Sequence, residues 1–391
     1  MKRIPSKATL LKKRVRKIQN RAKFVGLLYL LGTIGLVAIA ACMPLLTGTC
    51  ITADGATMPV MTFYQPIVNL FASGMEAFGS LTAAQITDLI VVVLFAAMLL
   101  TMAINVLRSI GKLGWLFKRR ASYSNGFNRN MYAMDDMAKR FSNSLYTLVM
   151  IHLFIYLFSG GVPAEGQEAT LQITTNAYIA LGVGFGLHFI CGLIGGTVTL
   201  FSTGDRVEEE TRENGLFVFF VRNLIQIAAV AAIGYFLIQE SVFVAKLQEI
   251  LKLVLEEQKP IAEIDWMSAI PAGIEIIAWL FIAVLAGHAI ADTEFNRDGV
   301  VGSGMRNFGI FSFMAALALA AGIALPMLGI GVVEATTELN QNLLIAAAVA
   351  LVAFLLDCII RPRTRDDSDY DDVDMDAYFQ GGEQRYNNTI I

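Results

Sequence analysis

Residues 24–46 read FVGLLYLLGTIGLVAIAACMPLL, 23 positions without a charged side chain. The 23 residues before them hold ten Lys and Arg and no Asp or Glu. A helix needs about 20 mostly apolar residues to cross roughly 30 Å of hydrocarbon. The stretch is therefore a membrane span entered from a basic side. Ile39-Ala40-Ala41-Cys42 inside it resembles a bacterial lipobox. The basic region before it is longer than a signal peptide's, so an ordinary first span is the better reading.

The same alternation continues along the chain. Further apolar runs at Ile86–Leu107, Ser144–Val162, Tyr178–Phe201, Leu216–Ile238, Ala269–Ala291, Phe308–Val332 and Leu343–Ile360 bring the expected spans to eight. Only 16% of the 391 residues are charged, against about 25% in a soluble domain. The charges gather in short blocks between the apolar runs. Such runs must satisfy their backbone hydrogen bonds internally, so the fold class is all-α, a polytopic transmembrane helix bundle.

Lys and Arg placement orients the bundle. The 108–143 connection holds eight basic residues, including Lys118, Arg119 and Arg120. The connections 47–85, 163–177 and 333–342 hold none, and 239–268 holds only Lys246, Lys252 and Lys259. Eight crossings with the N-terminus inside put every basic block on the cytoplasmic side, and the C-terminus with them. Few charges in the outer loops point to a bacterial cytoplasmic membrane.

Loop lengths suggest a parallel 4+4 internal repeat. Spans 1 and 5 lead into long outer connections, spans 3 and 7 into short ones. Phe127-Asn128-Arg129 precedes span 3 and Phe295-Asn296-Arg297 precedes span 7. Met137 and Met305, then Ser144 and Ser312, follow in the same register. The expected organisation is a basic arm (1–23), a four-span half (24–201), an acidic linker (202–215), a second half (216–360) and an acidic, disordered tail (361–391). Both long outer connections carry an amphipathic stretch. One presents Ile67, Leu70, Phe71 and Phe78; the other Phe243, Leu247, Ile250, Leu251 and Val254. Such segments lie along a membrane surface or cap a bundle. Thr82-Ala83-Ala84-Gln85 reads as a capping box opening span 2.

Ionisable side chains within lipid are costly and mark candidate sites. The intramembrane candidates are Glu275, His152, His188, His288 and Arg222. Glu275 stands between two isoleucines as a functional carboxylate, or as a hydrogen-bonded structural one. Arg222 is close enough to the cytoplasmic face to reach headgroups with its long side chain, and Asp357 is interfacial on the same grounds. His152 and His188 fall near mid-span, where a bis-histidine haem or a metal could bridge them. Histidines in membranes more often hydrogen-bond a neighbouring helix, so no cofactor is expected. Pro326 is placed to kink span 7.

No Walker A, His-Glu-x-x-His or Gly-x-Ser-x-Gly sequence occurs, which argues against an enzyme of those classes. The four cysteines do not make a disulfide framework. Expected partners are the lipid bilayer, anionic headgroups at the basic arm and the 108–143 connection, and a protein partner for the acidic tail. No nucleic acid is expected. The leading functional expectation is a transport-type membrane protein, a secondary carrier or a transport-complex subunit. A non-catalytic scaffold and a haem-carrying electron-transfer subunit are the alternatives.

Overall fold

The computed structural model describes residues 7–46, 49–51, 57–59, 83–117, 125–159, 182–191, 194, 216–291, 305–332 and 338–360. Within these, helices run over Lys7–Leu46 (α1), Ala83–Leu116 (α2), Asn125–Ser159 (α3), Gly182–Cys191 (α4), Leu216–Gln239 (α5), Phe243–Leu255 (α6), Ile270–Ala291 (α7), Met305–Met327 (α8) and Gln341–Ile360 (α9). Two short 3-10 turns, Ile261–Glu263 and Trp266–Ala269, link α6 to α7. One small antiparallel hairpin pairs Thr49–Ile51 with Thr57–Pro59.

Among the described residues six stretches are long and apolar enough to cross a membrane: Gln19–Ala41, Val93–Leu116, Val221–Gln239, Trp266–Ile290, Phe308–Met327 and Gln341–Ile360. They fit an integral membrane protein, embedded in a bilayer. The expected span Ser144–Val162 falls largely in α3, which is not among the six. Most of Tyr178–Phe201 lies outside the described residues, apart from α4 and residue 194. The first amphipathic stretch, the repeat motif at Phe295–Arg297 and the acidic tail also lie outside them.

Helix ends differ from the apolar boundaries. α1 begins at Lys7, so helix continues back through the basic arm, where Lys, Arg and Leu are good helix formers. α2 runs on to Leu116 and α3 starts at Asn125. The described residues of the 108–143 connection therefore lie mostly in α2 and α3. Met134, Met137, Ala138 and Phe141 of this connection are buried in a core with Ala22, Val25 and Tyr29 of α1. Two of its basic residues are paired within α3, Lys139 with Asp135 at 3.0 Å and Arg140 with Asp136 at 3.4 Å. Lys112 lies over the ring of Trp115, 4.8 Å from its centre. Pro326 lies inside α8, which ends one residue later. Gly329 and Gly331 then carry the chain away in left-handed conformation. A side chain at Gly331 would collide with the ring of Pro271.

The helices form two groups. In the first, α1, α2 and α3 pack on one another, and α4 joins them against α1 and α3. Close approach needs small residues: a Cβ on Gly32 would stand 2.5 Å from a ring carbon of Phe141 and 2.7 Å from Leu187. In the second group α5, α7, α8 and α9 close into a ring, each packing on two neighbours. Its core holds Ile233, Leu237, Ile282, Leu285, Phe308, Leu319, Ala346 and Ala350. The groups are not packed alike. α1 lies along α3, whereas α5 packs on α7 and α9 rather than along α8. Ser144 and Ser312 are both fully buried, yet Ser144 accepts from Asn105 of α2 (3.2 Å) while Ser312 donates to the Ala350 carbonyl of α9 (2.7 Å).

The groups meet along α3 and α7. Each helix sends a residue into the other group's core: Ile290 of α7 into the first, Leu157 of α3 into the second. The starts of α2, α7 and α9 share one end of the bundle with α6, and the ends of α2, α7 and α9 share the opposite one.

Candidate functional site

Among the described residues, buried His, Glu, Asp and Arg side chains fall in three clusters, and each follows from a helix that must place a polar group where water is absent. Glu275 sits in the second turn of α7 and is 6% exposed. One carboxylate oxygen accepts from Ser241 Oγ (2.5 Å) and from the indole N–H of Trp279 (3.0 Å), one helical turn on. The other accepts from the backbone N–H groups of Val242 (2.7 Å) and Phe243 (2.9 Å). Those amides open α6, whose N-cap residue, Val242, has no side chain able to cap. The first N–H groups of a helix have no intrahelical partner, and the partial positive charge there favours an anion. Glu275 supplies from another helix the cap that α6 lacks. A carboxylate only accepts, and this one meets four donors.

The second cluster lies at the seam between the groups. His188 of α4 is fully buried, and its Nε2 lies 3.0 Å from the carbonyl oxygen of Ile290. A carbonyl only accepts, so Nε2 carries the proton. Ser142 of α3 donates to the same oxygen at 3.5 Å. Ile290 is the penultimate residue of α7, where carbonyls lack intrahelical donors. The imidazole packs against Phe141 (5.5 Å between ring centres) and Tyr29 (6.2 Å). His288, half-buried on α7, stacks on Phe311 at 5.7 Å.

The third cluster joins α5 to α9 near the opposite end. Arg222 and Asp357 are both about 3% exposed. Arg222 donates to Asp357 Oδ1 through Nε (3.0 Å) and one terminal nitrogen (2.8 Å), and Gln226 adds a third donor at 3.3 Å. These residues line a shallow recess with Ile225, Ala353, Leu356 and Ile360. Arg222 therefore turns its guanidinium toward Asp357, and both side chains are buried within the bundle. The physical reason is that each offers the other an opposite charge at the same depth, on antiparallel helices.

His188, Glu275 and Arg222 thus occupy three separate places. His152 lies on α3, and its side chain is outside the described residues, as are those of Phe127, Asn128 and Arg129. Among the described residues no group of three or more His, Cys, Asp or Glu could hold a metal ion. Sequence reasoning missed the donors around Glu275 and the pairing of Arg222 with Asp357. Trp279 one turn from Glu275 was a visible signal for the first. No family model, no curated protein and no solved structure matches the chain.

Proposed function

We propose that this is a membrane protein of transport type, a secondary carrier or the membrane subunit of a transport complex. In this reading the two helical groups rock against each other about α3 and α7. The observation that carries it is the separation of the cores. Each group packs mainly around its own apolar residues, with Ile290 and Leu157 crossing between them, and the two meet chiefly along one helix pair. Carriers commonly work by rocking one bundle against another around a fixed site. In this reading the membrane is a bacterial cytoplasmic one, and the basic arm and the basic 108–143 connection favour both termini on its cytoplasmic side with the α6 end outside.

The test needs no substrate. Spin labels are attached at Val93→Cys on α2 and Leu328→Cys beyond α8, both exposed positions, with the native cysteines replaced. Distances are measured in lipid nanodiscs by pulsed electron paramagnetic resonance. A carrier gives two distance populations; a single narrow one sinks the proposal.

A second reading, a membrane scaffold, draws on Glu275. Its carboxylate is fully engaged in holding α6 in place. In that reading the acidic tail recruits a protein partner, and the basic arm holds anionic headgroups in either case.

A further inference from the structure

We propose that α6 is a strap closing one end of the two helical groups, anchored by Glu275 and released at Glu256. α6 packs on α2 of the first group and on α7 of the second, so it bridges the two. Its N-terminal end is the anchor. Glu275 holds the amides of Val242 and Phe243, and Val244 beside them is 3% exposed. Besides packing on α2, its C-terminal end holds the other group through a side-chain hydrogen bond. Glu256, the residue after α6, accepts from the backbone N–H of Ala83 at 3.1 Å. Ala83 is the first residue of α2, so this amide too belongs to a helix end that lacks intrahelical acceptors. The carboxylate also meets the positive end of the α2 dipole.

The two attachments differ in their surroundings. Glu275 is buried, whereas Glu256 stands exposed. A charged contact in water is screened by salt and holds weakly, while a buried one is screened far less. Glu256 is therefore the contact that lets go. At the far end of the molecule the groups are joined through buried His188 and Ile290. Separation begins at the α6 end, with the seam near Ile290 as the pivot. The strap acts on any relative motion of the two groups, so its test stands apart from whether a solute is carried.

The experiment is hydrogen exchange followed by mass spectrometry on the full chain in nanodiscs. Glu256→Ala speeds exchange over residues 83–90 by about fivefold, the effect of losing a helix cap. Exchange over 243–248 stays unchanged, because Glu275 is intact. Glu256→Gln, which keeps an accepting oxygen, restores most of the protection. Raising salt from about 0.05 to 0.5 M on the unaltered protein moves 83–90 in the same direction as Glu256→Ala. Unchanged exchange over 83–90 in Glu256→Ala overturns the proposal. So does equal loosening of 83–90 and 243–248, which would mean that α6 is held as one piece with no release point.

Discussion

Arg222, near the start of α5, and Asp357, near the end of α9, form an ion pair at 2.8 Å that is almost fully buried. The two residues stand 135 positions apart and join the first and last helices of the second group. Removing one partner leaves the other's charge without its counter-ion in an apolar place. Arg222→Ala is expected to cost about 3–5 kcal/mol of stability, and Asp357→Ala a similar amount. Replacing both with Leu returns most of the loss, because no charge then remains to be desolvated. A detergent unfolding titration of the three variants checks this, and a wild-type midpoint for Arg222→Ala refutes it.

Glu275→Gln separates an anchoring role from a proton-carrying one. The amide presents hydrogens where Trp279 and Ser241, or else Val242 and Phe243, need an acceptor. An anchor loses about 1–3 kcal/mol, and exchange over 243–248 rises. A proton-carrying carboxylate instead keeps its stability and loses coupling. Unfolding midpoints and exchange measured on one sample tell the two apart; we expect the first.

Two glycines of α1 should respond in opposite ways. A methyl group on Gly32 would press into Phe141 and Leu187, whereas one on Gly35 meets nothing within 4 Å. Gly32→Ala is expected to destabilise by about 1–3 kcal/mol. Gly35→Ala is expected to be neutral or to stabilise by up to about 1 kcal/mol, since Ala restricts the unfolded chain more. Thermal unfolding of both variants in one detergent decides the matter, and equal effects would mean α1 does not pack on α3 and α4 as described.

His188 gives the haem alternative a specific test. Iron at Nε2 would have to displace the hydrogen bond to Ile290. The purified protein is expected to show no Soret band, and His188→Ala to lower stability without any change in colour. A Soret band that falls in His188→Ala would instead make His188 an axial ligand.

The expected spans were legible because apolar length and charge spacing are local properties. Six of the eight coincide with helices long enough to cross a bilayer. Helix ends were not legible in the same way. At Lys7 and Asn125 the helix outlasts the apolar stretch, because polar residues such as Lys and Arg continue a helix without extending a hydrophobic run. The Thr49–Pro59 hairpin was missed although Asp54-Gly55 is a turn signal. At the sites, the candidate residues were visible as charges within apolar runs, but their partners were not. Glu275 meets amides that follow α5, and that encounter depends on how α5 and α7 cross. Arg222 and Asp357 did carry a clue, since one falls within two turns of the start of its apolar run and the other within two turns of the end of its own.

The long-range caps also set an order of assembly. The amide of Ala83 waits 173 positions for Glu256, and His188 waits 102 for the carbonyl of Ile290. α6 emerges from synthesis before the helix that caps it. The first four helices must therefore be made before these bonds can form, and the bonds are complete only when α7 has followed. Biogenesis of the first helical group should then pass a checkpoint near residue 290, whereas Arg222 of the second group waits until Asp357 has been made. A nascent chain arrested before residue 290 leaves both groups open to the insertion and quality-control machinery, and one arrested just beyond it leaves only the second open.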